Sequence, residues 1–370
     1  MKHLYLLLLF LTLTFASPLT VLAKNQLVEA RVVGVVEQVL EPESRNVESQ
    51  RVKVVVLSGD LEGREYLVNQ DKELLANNPF FETGDRVLLD IDGDSVVIVD
   101  FVRRPQLTAL FLSFAILAIV VGGRRGAMSL LAMGVTFLII FFMVLPMLLS
   151  GANPIFVALL ASVFIIPLTF YLSHGVSIKT HSAVVGTLVT LFFVALLSSW
   201  SIDFTRLSGF ASEEAAFLQG ELGERINIKG LLLAGIIISL LGILDDITTA
   251  QASIVLELKR ANKKLTSVDL FIRAMRVGRD HISSLVNTLI LVFAGSSLPL
   301  LVLFTNSGQN FSVVLNYEMI ADEIVRTLLG SIGLILAVPI TTAVSAWAYG
   351  KFGTKIEDGD EHSHHGHHHH

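Results

Sequence analysis

Two hydropathy patterns divide the chain. Up to residue 104 the apolar positions come in short β-branched segments, and after it they fill continuous runs about 20 residues long, the length a helix needs to cross a bilayer. The early segments are "VEARVVGVVEQVL" (28–40), "RVKVVVL" (51–57), "EYLVN" (65–69), "DRVLLDI" (85–91) and "SVVIVDFV" (95–102), separated by turn signals such as Gly84-Asp85 and "DGDS" at 92–95. They predict five strands in a compact barrel of the OB or SH3-like kind. With no aromatic platform, basic groove or metal-spaced histidines, this domain reads as a structural or partner-docking module.

The later runs predict seven membrane-spanning helices, at 106–122, 127–149, 153–173, 181–200, 229–248, 283–304 and 327–349. Between the fourth and fifth, "ASEEAAFLQGEL" (211–222) has the composition of a short amphipathic helix lying at a surface. Before everything else, Lys2, the apolar stretch from Leu4 to Phe15 and the small-residue exit at Ala23 have the three parts of a secretory signal peptide. The expected organisation is therefore a signal peptide (1–23), an extracytoplasmic β domain (24–104), a seven-helix membrane domain (105–350) and a tail (351–370).

Composition agrees with that pattern: of 370 residues, 52% are hydrophobic and 16% charged, which places the chain among membrane proteins. The formal net charge of −6 argues against a nucleic-acid partner. The basic residues instead report orientation. The loop 249–282 holds Lys259, Arg260, Lys263, Lys264, Arg273, Arg276 and Arg279, whereas the turns at 150–152 and 305–320 hold none. By the positive-inside rule this puts the β domain outside and the C-terminus in the cytoplasm of a bacterial plasma membrane. Arg103 and Arg104 run against the rule and are outnumbered.

Polar residues inside apolar helices are the candidate chemistry, because hydrocarbon penalises them. "GILDDITTAQA" (242–252) ends the fifth span with Asp245 and Asp246, and helical spacing lays Asp246, Thr249, Ser253 and Glu257 along one face. In the sixth span Asp280, Ser283, Ser284 and Asn287 share a face, with His281 and Thr288 beside it. Facing each other, the two stripes would form a polar path for protons or cations. The same residues could instead be interhelical glue, and Asp246 with Asp280 could form an intramembrane aspartyl pair. Gly295-Ser296-Ser297 and Pro299 in the sixth span, and Gly330, Gly333 and Pro339 in the seventh, suggest helix breaks of the kind transporters use.

Zinc-protease, serine-hydrolase and nucleotide-binding motifs are lacking in the sequence, so no enzymatic activity and no cofactor are expected. The exception concerns metal. His362, His364, His365, His367, His368, His369 and His370 form a tail that could gather a divalent transition metal. A histidine tag is the duller explanation, although Ser363 and Gly366 interrupt the run.

The stretch from Gly242 to Leu303, "GILDDITTAQASIVLELKRANKKLTSVDLFIRAMRVGRDHISSLVNTLILVFAGSSLPLLVL", resembles the signature region of the bacterial YibE/F-like membrane proteins. The resemblance extends over about 106–349 and implies a multi-pass membrane or transport protein. It also implies one functional acid, Asp246, where this chain has two. A fainter similarity, to the RND-type proton-driven permeases, implies proton coupling. The reading that results is a secondary transporter, or a transporter subunit, moving a small solute or ion across the lipid bilayer. Its alternative is a non-enzymatic scaffold whose outer β domain recruits a protein partner.

Overall fold

The computed structural model describes residues 27–40, 48–71, 81–93, 95–306 and 308–352. The expected signal peptide and the histidine-rich tail lie outside the described residues.

Five strands form where alternation predicted them: β1 (Leu27–Leu40), β2 (Glu48–Val56), β3 (Glu65–Asp71), β4 (Arg86–Asp92) and β5 (Ser95–Phe101). They make one antiparallel sheet in the order β3-β2-β1-β4-β5. Because side chains alternate across a strand, Val28, Ala30 and Val32 of β1 fall on the same side as Val52, Val54 and Val56 of β2, and together with Val87, Leu89 and Ile98 they form the core. Phe81 closes one side. The buried Gln50 amide donates to the Phe81 carbonyl at 2.8 Å and accepts from its N–H at 3.0 Å, so both backbone groups of that buried residue are satisfied. The sheet is a half-barrel: β3 and β5 are its edges, and no ladder joins them among the described residues.

The remainder is helical. After α1 (Arg104–Ile139), a π-helical turn at Ile140–Val144 and α2 (Leu145–Leu149) come α3 (Pro154–His174), α4 (Ile178–Phe204) and α5 (Glu213–Leu222). Then follow α6 (Ile228–Ala261), α7 (Ser267–Ser296), α8 (Leu298–Asn306), α9 (Phe311–Val314) and α10 (Glu318–Phe352). Local signals set their starts. Asn153, Ser177, Ser212 and Asn227 each cap the following helix with a side-chain oxygen, and Thr266 with Asp269 forms a reciprocal capping box at α7. The short amphipathic helix appears as α5.

Among the described residues, five helical runs are long and apolar enough to cross a membrane, or six if the bent pair α7–α8 counts as one. This is consistent with a multi-pass membrane protein, but the expected seven spans are not reproduced. The first two predicted spans lie in one run, Arg104–Leu149, because "GGRRG" (122–126), expected as a loop, is helical apart from Gly123, whose φ of 56° and ψ of −136° interrupt it. The sixth predicted span is bent by 62° between Ser296 and Leu298, at the expected Gly-Ser-Ser-x-Pro step. The seventh is not broken: α10 runs continuously through Gly330, Gly333 and Pro339.

The main helical core lies among α3, α4, α6 and α10, around Val157, Phe170, Leu191, Val194, Ile236, Leu240, Leu244 and Leu329. α7 packs chiefly along α10 and more thinly on α6.

Candidate functional site: a buried polar focus

α6 is apolar from Leu231 to Leu241 and then changes character on its buried side. Leu244, Thr248, Gln251 and Val255 recur at steps of four, three and four, so one inward stripe carries two polar residues in succession. α10 meets it with Val338, Thr341, Thr342 and Ser345, and α4 with Gly186, Thr187 and Thr190, all buried.

Gln251 is the hub. It is fully buried, and its amide nitrogen donates to the Thr342 hydroxyl at 2.7 Å and to the Ala274 carbonyl of α7 at 3.1 Å. A carbonyl only accepts, so the amide NH2 must face Ala274, which fixes the orientation of the group. Both amide protons are then used, and Gln251 Oε1 is left buried without a hydrogen-bond partner among the described residues. Glycine makes room for it: a Cβ at Gly278 would lie 3.0 Å from Gln251 Nε2, 3.1 Å from Oε1 and 2.6 Å from Val338 Cγ1.

The α4 side is built the same way. The Thr187 and Thr248 hydroxyls lie 2.9 Å apart and also approach the Ala183 and Leu244 carbonyls at 2.9 and 2.8 Å. Each hydroxyl has one proton, so one threonine donates across the interface and the other to its own helix. Gly186 sits directly against Thr341, with no space for a side chain. Thr341 Oγ1 and Ser345 Oγ are buried and have no hydrogen-bond partner among the described residues, while on α6 the side chains of Asp245 and Thr249, one turn apart, interact with each other. Asp245 lies six residues before Gln251, about 9 Å along the axis. Native interiors hold few orphaned polar atoms, and here Gln251 Oε1, Thr341 Oγ1 and Ser345 Oγ belong to one stretch of α6 and one of α10.

The sequence-predicted residues are only partly brought together. Asp245 and Thr249 are half-buried and turn inward, while Asp246 and Glu257 are exposed, Glu257 pairing with Arg260 at 3.0 Å. Asp280, Ser283, Ser284, Asn287 and Thr288 are exposed and His281 is half-buried, so the α7 stripe does not face α6 as expected. The reason is packing: α7 spends Leu270, Ala274, Gly278 and Leu289 on its neighbours, which turns the stripe away. Asp246 and Asp280 both being exposed, nothing assembles an aspartyl dyad. Thr248, Gln251, Thr341, Thr342 and Ser345 carry the focus instead. Thr248 shares a face with Asp245 by helical spacing, and the same spacing carried on from Leu244 and Thr248 reaches Gln251.

A second charged group stands near the start of α10. Asp322 Oδ2 accepts from Arg326 Nη2 at 3.1 Å, leaving Asp322 Oδ1 and Arg326 Nε buried without hydrogen-bond partners among the described residues. One turn earlier, the Glu318 carboxylate takes the backbone N–H groups of Ser208 and Gly209 at 2.7 and 2.9 Å and the Ser208 hydroxyl at 2.7 Å. Between the two polar regions α10 presents Gly330 and Gly333, against which Leu240, Leu289 and Val194 pack as an apolar layer. Among the described residues no group of three or more histidines and carboxylates could hold a metal ion.

Residues 110–351, well over half of the chain, match the family model described as YibE/F-like protein. No curated protein matches the chain, and no solved structure does.

Proposed function

The chain belongs to the YibE/F-like family, and on that premise we propose that it is a secondary, proton- or cation-coupled transporter or transporter subunit. The observation that carries this reading is the set of orphaned oxygens around Gln251. Water, a hydrated proton or a partly dehydrated cation would satisfy Gln251 Oε1, Thr341 Oγ1 and Ser345 Oγ, which have no hydrogen-bond partner among the described residues, with the Asp245 carboxylate about two turns before Gln251 on α6. Interhelical glue would pair its polar atoms, as Thr187 and Thr248 do.

In this reading the path lies among α4, α6, α7 and α10. Asp246 is the exposed acid at its mouth, and Asp245 is the inward carboxylate that hands the ion to Gln251. Leu240, Leu289 and Val194 against Gly330 and Gly333 separate this vestibule from Asp322 and Arg326 beyond. The path is non-enzymatic, needs no cofactor and serves a small solute or ion. The chain crosses a bacterial plasma membrane with the β domain outside, where it is free to meet a protein partner, and the C-terminus in the cytoplasm. Counting the 46-residue run Arg104–Leu149 as two spans at Gly123 and the pair α7–α8 as one gives seven crossings. Support for dividing that run comes from length, since 46 residues at the helical rise amount to about 69 Å, more than twice a hydrocarbon core.

Flux of protons, monovalent and divalent ions into proteoliposomes tests the proposal. Wild type should conduct at least one of them, and folded Asp245→Asn and Gln251→Leu should not. Absence of flux across the whole panel would leave the scaffold reading in its place.

A further inference from the structure

α7 has a second face that the bundle does not use. Arg273, Val277, Asp280, Ser284, Asn287, Leu291 and Ala294 follow one another at alternating steps of four and three, and all seven are exposed. Residues at alternating steps of four and three lie along one side of an α-helix, so the seven form a continuous stripe of mixed polar and apolar side chains. The stripe rises about 32 Å, its Arg273–Asp280 part in the basic segment before the predicted span and its Ser284–Ala294 part within it.

Its chemistry suits neither lipid nor water. Leu291 is 63% exposed and belongs to the apolar stretch 285–294. Asn287 lies in that same stretch, and among the described residues nothing is hydrogen-bonded to its amide. Lipid would leave the amide unpaired, and water would face the leucines. A second helix with apolar residues and a polar group at matching depth satisfies both.

We propose that this stripe is a parallel two-fold interface with a second copy of this chain. Two copies inserted in the same direction are related by an axis along the membrane normal, which sets each seam residue beside its own counterpart. The choice of a second copy follows from the side chains themselves. An asparagine amide both donates and accepts, as does a serine hydroxyl, so Asn287 and Ser284 are complementary to themselves at equal depth. Ala294 permits close approach of the backbones. Arg273 and Asp280 would each meet a like charge across the two-fold, both at the end of the seam before the predicted span, where water and salt screen them.

The chain has no cysteine, so a single introduced cysteine can form a disulfide only with another copy. In full-length protein in phospholipid vesicles, Ser284→Cys and Leu291→Cys should oxidise to a species of doubled mass roughly tenfold faster than Val292→Cys, which is exposed but lies off the seam. In parallel, Asn287→Leu should shift two-step photobleaching counts toward single steps as the protein is diluted in lipid. Equal rates at all three cysteines, or no cross-link at any, would overturn the proposal, the latter also being the result if the seam receives a helix of a different protein. An unchanged step count in Asn287→Leu would do the same, and the cross-linking arm reads out even where that variant fails to fold.

Discussion

Gln251 of α6 and Thr342 of α10 are joined by a 2.7 Å hydrogen bond inside the helical bundle, and the same amide leaves its oxygen unpaired. That combination separates glue from a path. Gln251→Leu keeps the volume, removes the orphaned acceptor and forfeits interhelical bonds, each worth roughly 1 kcal/mol in membrane bundles. The expected outcome is a thermal unfolding midpoint close to wild type with ion flux abolished. A large loss of stability would instead mark Gln251 as structural.

Gly186 and Gly235 make a matched pair of alanine substitutions. A Cβ at Gly186 would collide with the side chain and backbone of Thr341, while Gly235, on the exposed side of α6, has nothing within 4 Å. Gly186→Ala should destabilise the bundle by about 1–3 kcal/mol through overpacking. Gly235→Ala should be neutral or stabilising by up to about 1 kcal/mol, as alanine is the better helix former. Chemical denaturation of both variants in the same detergent checks the difference.

How far the sequence reached depended on which physical rule fixed each feature. The five strands and the amphipathic α5 were legible because alternation and composition act locally. The predicted spans at 153–173, 181–200, 229–248 and 327–349, each matched by one long helix, were legible for the same reason. The break between the first two predicted spans falls at Gly123, inside the glycine-arginine segment whose composition marks it, although only that one residue leaves the helical conformation and its neighbours stay helical. The polar path was assigned to the wrong neighbours. Spacing tells which residues share a face of α7, but only packing decides that the face of Ala274 and Gly278, and not that of Asn287, meets α10. Asp322 and Arg326 were missed because the seventh span was started at residue 327, just beyond them.

Glu318 should fix the connection between α4 and α5. Its carboxylate receives two backbone amides and a hydroxyl from Ser208 and Gly209, charge-assisted bonds that together contribute roughly 1–3 kcal/mol. Glu318→Ala should speed hydrogen exchange at the Ser208 and Gly209 amides while leaving the β domain unchanged. Glu318→Gln, which keeps the acceptor oxygen and loses the charge, should fall between the two.

At the end of the β domain, Asp100 accepts from Arg103 at 2.5 Å and from the Phe101 backbone at 2.7 Å. The Arg103 side-chain bond, and then the Phe101 amide, hold its carboxyl below the ordinary value of 3.8. A lowered folded-state pKa favours the folded form above the unfolded value, and that contribution is lost as pH falls through the folded value. The pair is exposed to solvent, so the effect is small and salt should weaken it further. In a carboxyl-carbon NMR titration of the full chain, Asp100 should therefore protonate at lower pH than an unpaired aspartate. Arg103→Gln should move its midpoint upward, though not fully to the ordinary value, because the Phe101 amide still donates to the carboxylate.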